Sequence, residues 1–223
     1  MRVASNSNGH QPAADCALCP RLATFRNKVR LDEPDWFNSP VPSWGGDGGA
    51  RLLIVGLAPG LRGANRTGRP FTGDHAGILL YATLAKFGFS RGSFAAAPDD
   101  GLSLVDCRIT NAVRCVPPQN KPLPAEISQC RQFLEAELGR LPGLACVVAL
   151  GRIAHEATIK ACGQRLALAP FSHGAVHRVA TSAGRMINII DSYHCSRYNT
   201  NTGVLTPAMF DAVFAQARRL LDG

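Results

Sequence analysis

The chain has 223 residues, enough for one sizeable core, and its 46% hydrophobic content with a mean hydropathy of zero describes a globular protein. No apolar run approaches the roughly 20 residues that span a bilayer, and the polar stretch 1–10 lacks the apolar core of a secretory signal, so a cytoplasmic protein with no membrane contact is expected. The 24 Lys and Arg against 16 Asp and Glu give a formal charge of +8, which favours a polyanionic partner because neutralised phosphates release counterions.

Residues 1–14 are polar and read as a flexible tail, leaving 15–223 as a single domain. Asp15 marks the start of a helix predicted over Asp15–Arg30. The Pro-, Gly- and Trp-rich stretch 33–50 reads as irregular loop. Leu52–Val55 is an apolar strand, Ala76–Phe87 a helix with one apolar face, and Val105–Asn111 a second strand before the Pro-rich turn Pro117–Pro124. A helix follows over Ala125–Gly139, with Glu126 suited to its positively polarised first turn. Cys146–Leu150 is a buried strand whose Gly151 opens the helix Arg152–Ala161. Val176–Ala180 and Met186–Asp191 are β-branched strands, and Pro207–Leu221 is an amphipathic helix with Pro in its first turn. Alternating strands and helices imply an α/β fold, a three-layer α/β/α sandwich around a central, mainly parallel sheet.

Eight cysteines in a cytosolic chain point to metal or redox chemistry rather than disulfides. Cys107, Cys146 and Cys162 lie in or beside apolar stretches and read as core fillers. Cys16 and Cys19 form a C-x2-C pair, and Cys115 and Cys130 are a second pair in loop or helix-start contexts. Four thiolates suit tetrahedral zinc or a [4Fe–4S] cluster, and spacing does not choose between them. With no ligand position obviously open, the centre reads as structural, clamping the N-terminal helix to the loop after the second strand.

Three polar clusters fall at the carboxyl ends of predicted strands, where an open α/β sheet gathers its site. The first runs through Gly56-Leu-Ala-Pro-Gly60 to Asn65-Arg-Thr-Gly68 and Phe71-Thr-Gly-Asp74. The second is Thr110-Asn111-Ala-Val-Arg114-Cys115 and the third Asp191-Ser-Tyr-His194-Cys-Ser196-Arg197-Tyr198-Asn199. Together with the four cysteines, and in this order from about residue 15 to the end, they resemble the uracil-DNA glycosylase superfamily, specifically its iron–sulfur family 5 (B-type) enzymes.

The resemblance implies an enzyme that flips a damaged base out of DNA, because the glycosidic carbon is unreachable within the stack. In that reading Gly56, Leu57, Ala58 and Pro59 shape the pocket floor and Phe71 stacks on the base. Asn111 reads the base edge, and His194 donates to a base oxygen as charge develops on the leaving uracilate. Leu57 can neither orient nor deprotonate water, and the family pattern assigns that work to Asp74. Asp74 is also placed to cap the helix at Ala76, as Asn111 is to cap a turn. Ser196 would hold a phosphate, and Arg197 or Tyr198 would fill the space left by the flipped nucleotide. Lys121 and Arg69 are candidate phosphate contacts, with solvated surface charge the alternative for each.

No lysine occupies a loop position suggesting Schiff-base chemistry, so a monofunctional hydrolase acting as a monomer on uracil, and on other deaminated bases such as hypoxanthine, is expected. Two departures bear on substrate range: Cys195 stands where the family has Pro, and the Gly60–Ala64 loop differs from the family's run. A non-catalytic, metal-stabilised nucleic-acid binder would explain the charge and cysteines but leaves Asp74, Asn111 and His194 without a joint purpose. A phosphate loop at Gly56–Gly60 lacks both G-x-x-x-x-G-K-[ST] and G-x-G-x-x-G.

Overall fold

The computed structural model describes residues 11–46 and 48–223; most of the expected tail lies outside that range. In chain order the strands are β1 (Trp44–Gly45), β2 (Leu52–Gly56), β3 (Ser90–Arg91), β4 (Ser103–Leu104), β5 (Cys107–Asn111), β6 (Cys146–Leu150), β7 (Val176–Ala180) and β8 (Met186–Ser192). The helices are α1 (Pro20–Asp32), α2 (Ala64–Thr67), α3 (His75–Lys86), α4 (Pro124–Arg140), α5 (Arg152–Ala161), α6 (Arg197–Asn201) and α7 (Pro207–Asp222).

Six strands form one sheet in the order β1-β5-β2-β6-β8-β7. The inner pairs β5–β2, β2–β6 and β6–β8 are parallel, and the edges β1 and β7 are antiparallel. Every residue of β2, β5 and β6 is buried, as expected of parallel strands covered on both faces. Alternation along β2 divides the core. Leu52 and Ile54 pack in one cluster with Leu80 and Leu84 of α3 and Phe210 and Phe214 of α7. Leu53 and Val55 pack in the other with Leu134 and Leu138 of α4 and Ala154 and Ile159 of α5. The i, i+4 spacing of the pairs in α3, α4 and α7 puts each on one face, so the three layers follow from strand period 2 meeting helix period 3.6. Fully burying each large apolar side chain contributes roughly 1.5–3 kcal/mol.

The sequence-based elements agree in type and order, but the short helices α2 and α6 are additional to them, and four further differences follow. Helix α1 begins at Pro20 rather than Asp15, because proline's missing N–H fits the first helical position and Cys16–Cys19 before it is irregular, with Cys19 extended as the N-cap residue. Within 33–50, β1 pairs with β5 (Trp44 opposite Ile109), a two-residue strand too short to leave a periodic pattern. The β3–β4 ribbon is likewise short. Gln11, expected in the tail, is tied down: its Oε1 accepts from Arg114 Nη2 at 2.8 Å and its Nε2 donates to Glu137 Oε1. Among the described residues no helix is long and apolar enough to cross a membrane.

Candidate active site and cysteine centre

Strand pairing sets Gly56 directly opposite Asn111. The chain continues past both strand ends in step, with Ala112 N donating to Gly56 O at 2.9 Å and Val113 N to Leu57 O at 2.9 Å. Only glycine fits at 56: a Cβ would stand 2.4 Å from Asn111 Oδ1 and 2.6 Å from Phe71 Cζ. Phe71 sits in the left-handed region at φ 55°. Its carbonyl is overlain by the first turn of α3, where a Cβ on Gly77 would meet Phe71 O at 1.8 Å. Two glycines therefore let the strand end, the Phe71 ring and the Asn111 amide converge. Asn111 is 4% exposed, and its carboxamide has no hydrogen-bond partner among the described residues.

Asp74 is the N-cap of α3, its Oδ1 accepting from Gly77 N at 3.2 Å. Its Oδ2 leans into the glycine loop, 2.6 Å from where a Gly63 Cβ would be and 3.4 Å from a Gly60 Cβ. Burial raises the pKa of this carboxyl, against hydrogen bonds from Gly77 and Ala76 that lower it. His194 arrives from the end of β8. Its carbonyl accepts from Asn199 Nδ2 at 2.8 Å, and its ring stacks toward Phe71 with centroids 6.2 Å apart. Burial pushes the imidazole down to about 4, so at neutral pH the ring is uncharged and offers one N–H.

One cavity of about 310 Å³ gathers Leu57, Ala58, Pro59, Phe71, Asp74, Asn111, His194, Ser196 and Arg197, ligand-sized though at the small end of that class. The sequence-predicted groups from three loops thus meet. Ser196 caps α6, its Oγ accepting from Asn199 N at 3.3 Å. Tyr198 is 73% exposed, and Lys121 is exposed beyond the cavity, past Asn120.

Arg69 corrects an expectation. It is neither a phosphate contact nor a surface charge: it is buried, donates from both terminal nitrogens to Asp100 at 2.8 and 2.7 Å, and lies 4.8 Å over the Trp44 ring. Two lining residues went unread in the sequence. His75 follows Asp74 and its Nε2 lies 3.2 Å from Thr200 Oγ1, joining α3 to α6. Asn120 stands at φ 56° in the Pro-rich turn. Adjacency to Asp74 was the only available sign of the first.

Beneath the His194 loop Asp191 organises a buried network. Its Oδ1 lies 2.6 Å from His155 Nδ1, and its Oδ2 lies 2.9 Å from His177 Nε2 and accepts from Ser172 N at 3.1 Å. His155 Nε2 is 2.8 Å from the Ala169 carbonyl. These residues bring three ligand-type atoms within 4.8 Å of one another, yet both His155 nitrogens are occupied, so the group is a closed hydrogen-bond network that anchors the end of β8.

Cys16, Cys19, Cys115 and Cys130 line one small cavity between α1, the loop after β5, and α4. A clamp between the same elements comes from Arg21, whose Nε and Nη2 donate to Glu126 at 2.8 and 2.7 Å. Four thiols from three elements face one cavity, a donor set that fits tetrahedral zinc or an iron–sulfur cluster. The surroundings also fit an anionic centre: Arg26 is 2% exposed, its Nη1 donates to Cys115 Sγ at 3.2 Å, its Nη2 donates to Cys16 O at 2.8 Å, and its Nε has no partner.

Comparison with known proteins bears on this arrangement. The family model described as "Uracil DNA glycosylase superfamily" matches residues 42–218. A "Type-5 uracil-DNA glycosylase" of Thermus thermophilus is 46% identical over 216 residues, covering 94% of this chain and 95% of the relative. A protein of the same name from Mycobacterium bovis is 41% identical over 214 residues, covering 92% and 78%. A "Type-4 uracil-DNA glycosylase" of Pyrobaculum aerophilum is 32% identical over 188 residues, covering 83% and 80%.

Proposed function

Because the chain belongs to the uracil DNA glycosylase superfamily, and within it to the type-5 group, we propose that it is a DNA-repair hydrolase that cuts the N-glycosidic bond of uracil and leaves an abasic site. The observation that carries this reading is the meeting of Phe71, Asp74, Asn111 and His194 in one cavity at the carboxyl ends of β2, β5 and β8. The base enters flipped from the duplex. Phe71 stacks on its face, and the unengaged amide of Asn111 supplies a donor and an acceptor to its edge.

As the bond to the sugar breaks, electrons move onto the base. The neutral His194 N–H then donates to the oxygen where that charge collects, in a site dry enough for such a bond to act strongly. The sugar becomes oxocarbenium-like, and Asp74, ionised, stabilises it and orients the water that adds to the anomeric carbon. Leu57 contributes only pocket floor. Ser196 and Arg197, which line the cavity, and the exposed Tyr198 and Lys121, which follow lining residues in the chain, contact the DNA backbone or occupy the gap. Other deaminated bases such as hypoxanthine are accepted as well, the enzyme acts as a monomer, and no lysine forms a Schiff base, so the strand is left uncut.

Cys16, Cys19, Cys115 and Cys130 would hold a [4Fe–4S] cluster. When bound, it cross-links α1 to the loop after β5 and takes no part in bond breaking. Incubation with a uracil-containing oligonucleotide, followed by alkali, is the direct test. Cleavage at uracil only after alkali is expected; cleavage without alkali would refute the monofunctional reading. No cleavage on single- or double-stranded substrate would refute the enzyme reading.

A further inference from the structure

Four arginines are buried among the described residues: Arg26, Arg69, Arg108 and Arg114. Three have a carboxylate. Arg69 pairs with Asp100 at 2.7 Å, Arg108 with Glu137 at 2.7 Å, and Arg114 lies 3.6 Å from Glu137. Arg26 is as deeply buried but has no carboxylate within ion-pair distance among the described residues; its partners are the Cys115 sulfur and the Cys16 carbonyl, and its Nε is orphaned. A buried cation without a counter-charge is costly by several kcal/mol, and an arginine cannot shed its proton to escape that cost. The charge must therefore be balanced by something on the cysteine side. Four thiols would not balance it, but four thiolates around a metal core carry net negative charge.

We propose that Arg26 is the counter-charge of the four-cysteine centre and sets the reduction potential of its cluster, an inference that rests on the iron–sulfur reading above. A fixed cation donating to a ligand sulfur favours the more negative, reduced member of a one-electron couple and so raises the potential. The two bonds tie the Cys115 sulfur and the Cys16 backbone to α1 and slow loss of iron. Arg26 lies on α1 and does not line the base cavity, so it acts on the centre and not on the substrate.

The test compares the parent with Arg26→Lys, Arg26→Gln and Arg26→Met by metal analysis, voltammetry of the cluster couple, and iron release to a chelator. Arg26→Met and Arg26→Gln should shift the potential downward and release iron faster, while Arg26→Lys, which keeps the charge, stays nearer the parent. An unchanged potential and release rate in Arg26→Met overturns the proposal. So does insolubility of all three variants, which would make Arg26 a packing element. If only the two neutral variants are insoluble and Arg26→Lys folds with its iron, the counter-charge role stands. Zinc instead of iron in the parent chain would refute the cluster reading itself, and the metal analysis shows that before any variant is compared.

Discussion

The proposed mechanism gives Asp74 two duties that pull against each other. As a cap it needs only an oxygen to accept from Gly77, but as the group acting on water it would have to be an ionised, partly buried carboxylate. Its pKa is raised by burial, so it favours the folded state below the ordinary carboxylate range, and that contribution is lost as pH rises through the raised value. Asp74→Asn keeps a capping oxygen and removes the charge. It should melt at or above the parent's temperature at pH 7 while single-turnover excision falls roughly 10²-fold or more; near-parental excision would end the catalytic assignment. His194 obeys the opposite logic. Burial holds it down to about 4, so it is already neutral where the enzyme works. His194→Ala should slow excision about 10²–10³-fold yet leave the shape of the rate profile between about pH 6 and 8 unchanged. A limb that disappears there with His194 would mean that the imidazolium is the active form.

At the scale of elements, helices and inner strands were legible because each presents a periodic apolar face or a fully apolar run. Leu52–Gly56, Cys146–Leu150 and Pro207–Asp222 fall within one or two residues of expectation. The two-residue strand β1 has no period to read and exists only because β5 lies beside it. The loop between α2 and α3 shows the same limit at its side chains. Arg69 sits in a Gly- and Thr-rich loop that looks solvent-facing, but its guanidinium and the Asp100 carboxylate are 4% and 1% exposed. Hydrogen bonds from Arg69 hold Asp100 well below the usual carboxylate range. The pair's contribution is therefore present above that range and fades as pH falls. Arg69→Ala, which strands a buried carboxylate, should lower unfolding free energy by roughly 3–5 kcal/mol in denaturant titrations. If it instead weakens DNA binding without loss of stability, the phosphate-contact reading returns.

Across the whole molecule the +8 charge implies affinity for DNA that falls steeply with salt. Lys121 is exposed next to Asn120 at the cavity, so Lys121→Ala should weaken binding to all sequences alike and reduce the salt slope by about 1; an unchanged slope in binding titrations would remove it from the interface. The sequence by itself determined the layered α/β order, the strand ends that carry the polar clusters, the cysteine pairs and the short motifs that contain Asp74, Asn111 and His194. Those features depend on periodicity, turn chemistry and short motifs, all local in the chain. Only the tertiary structure decided which cations are free and which are spent. Arg69 finds its carboxylate 31 residues away and Arg26 its sulfur 89 residues away, and burial and charge pairing at such separations follow from packing, which no local pattern encodes.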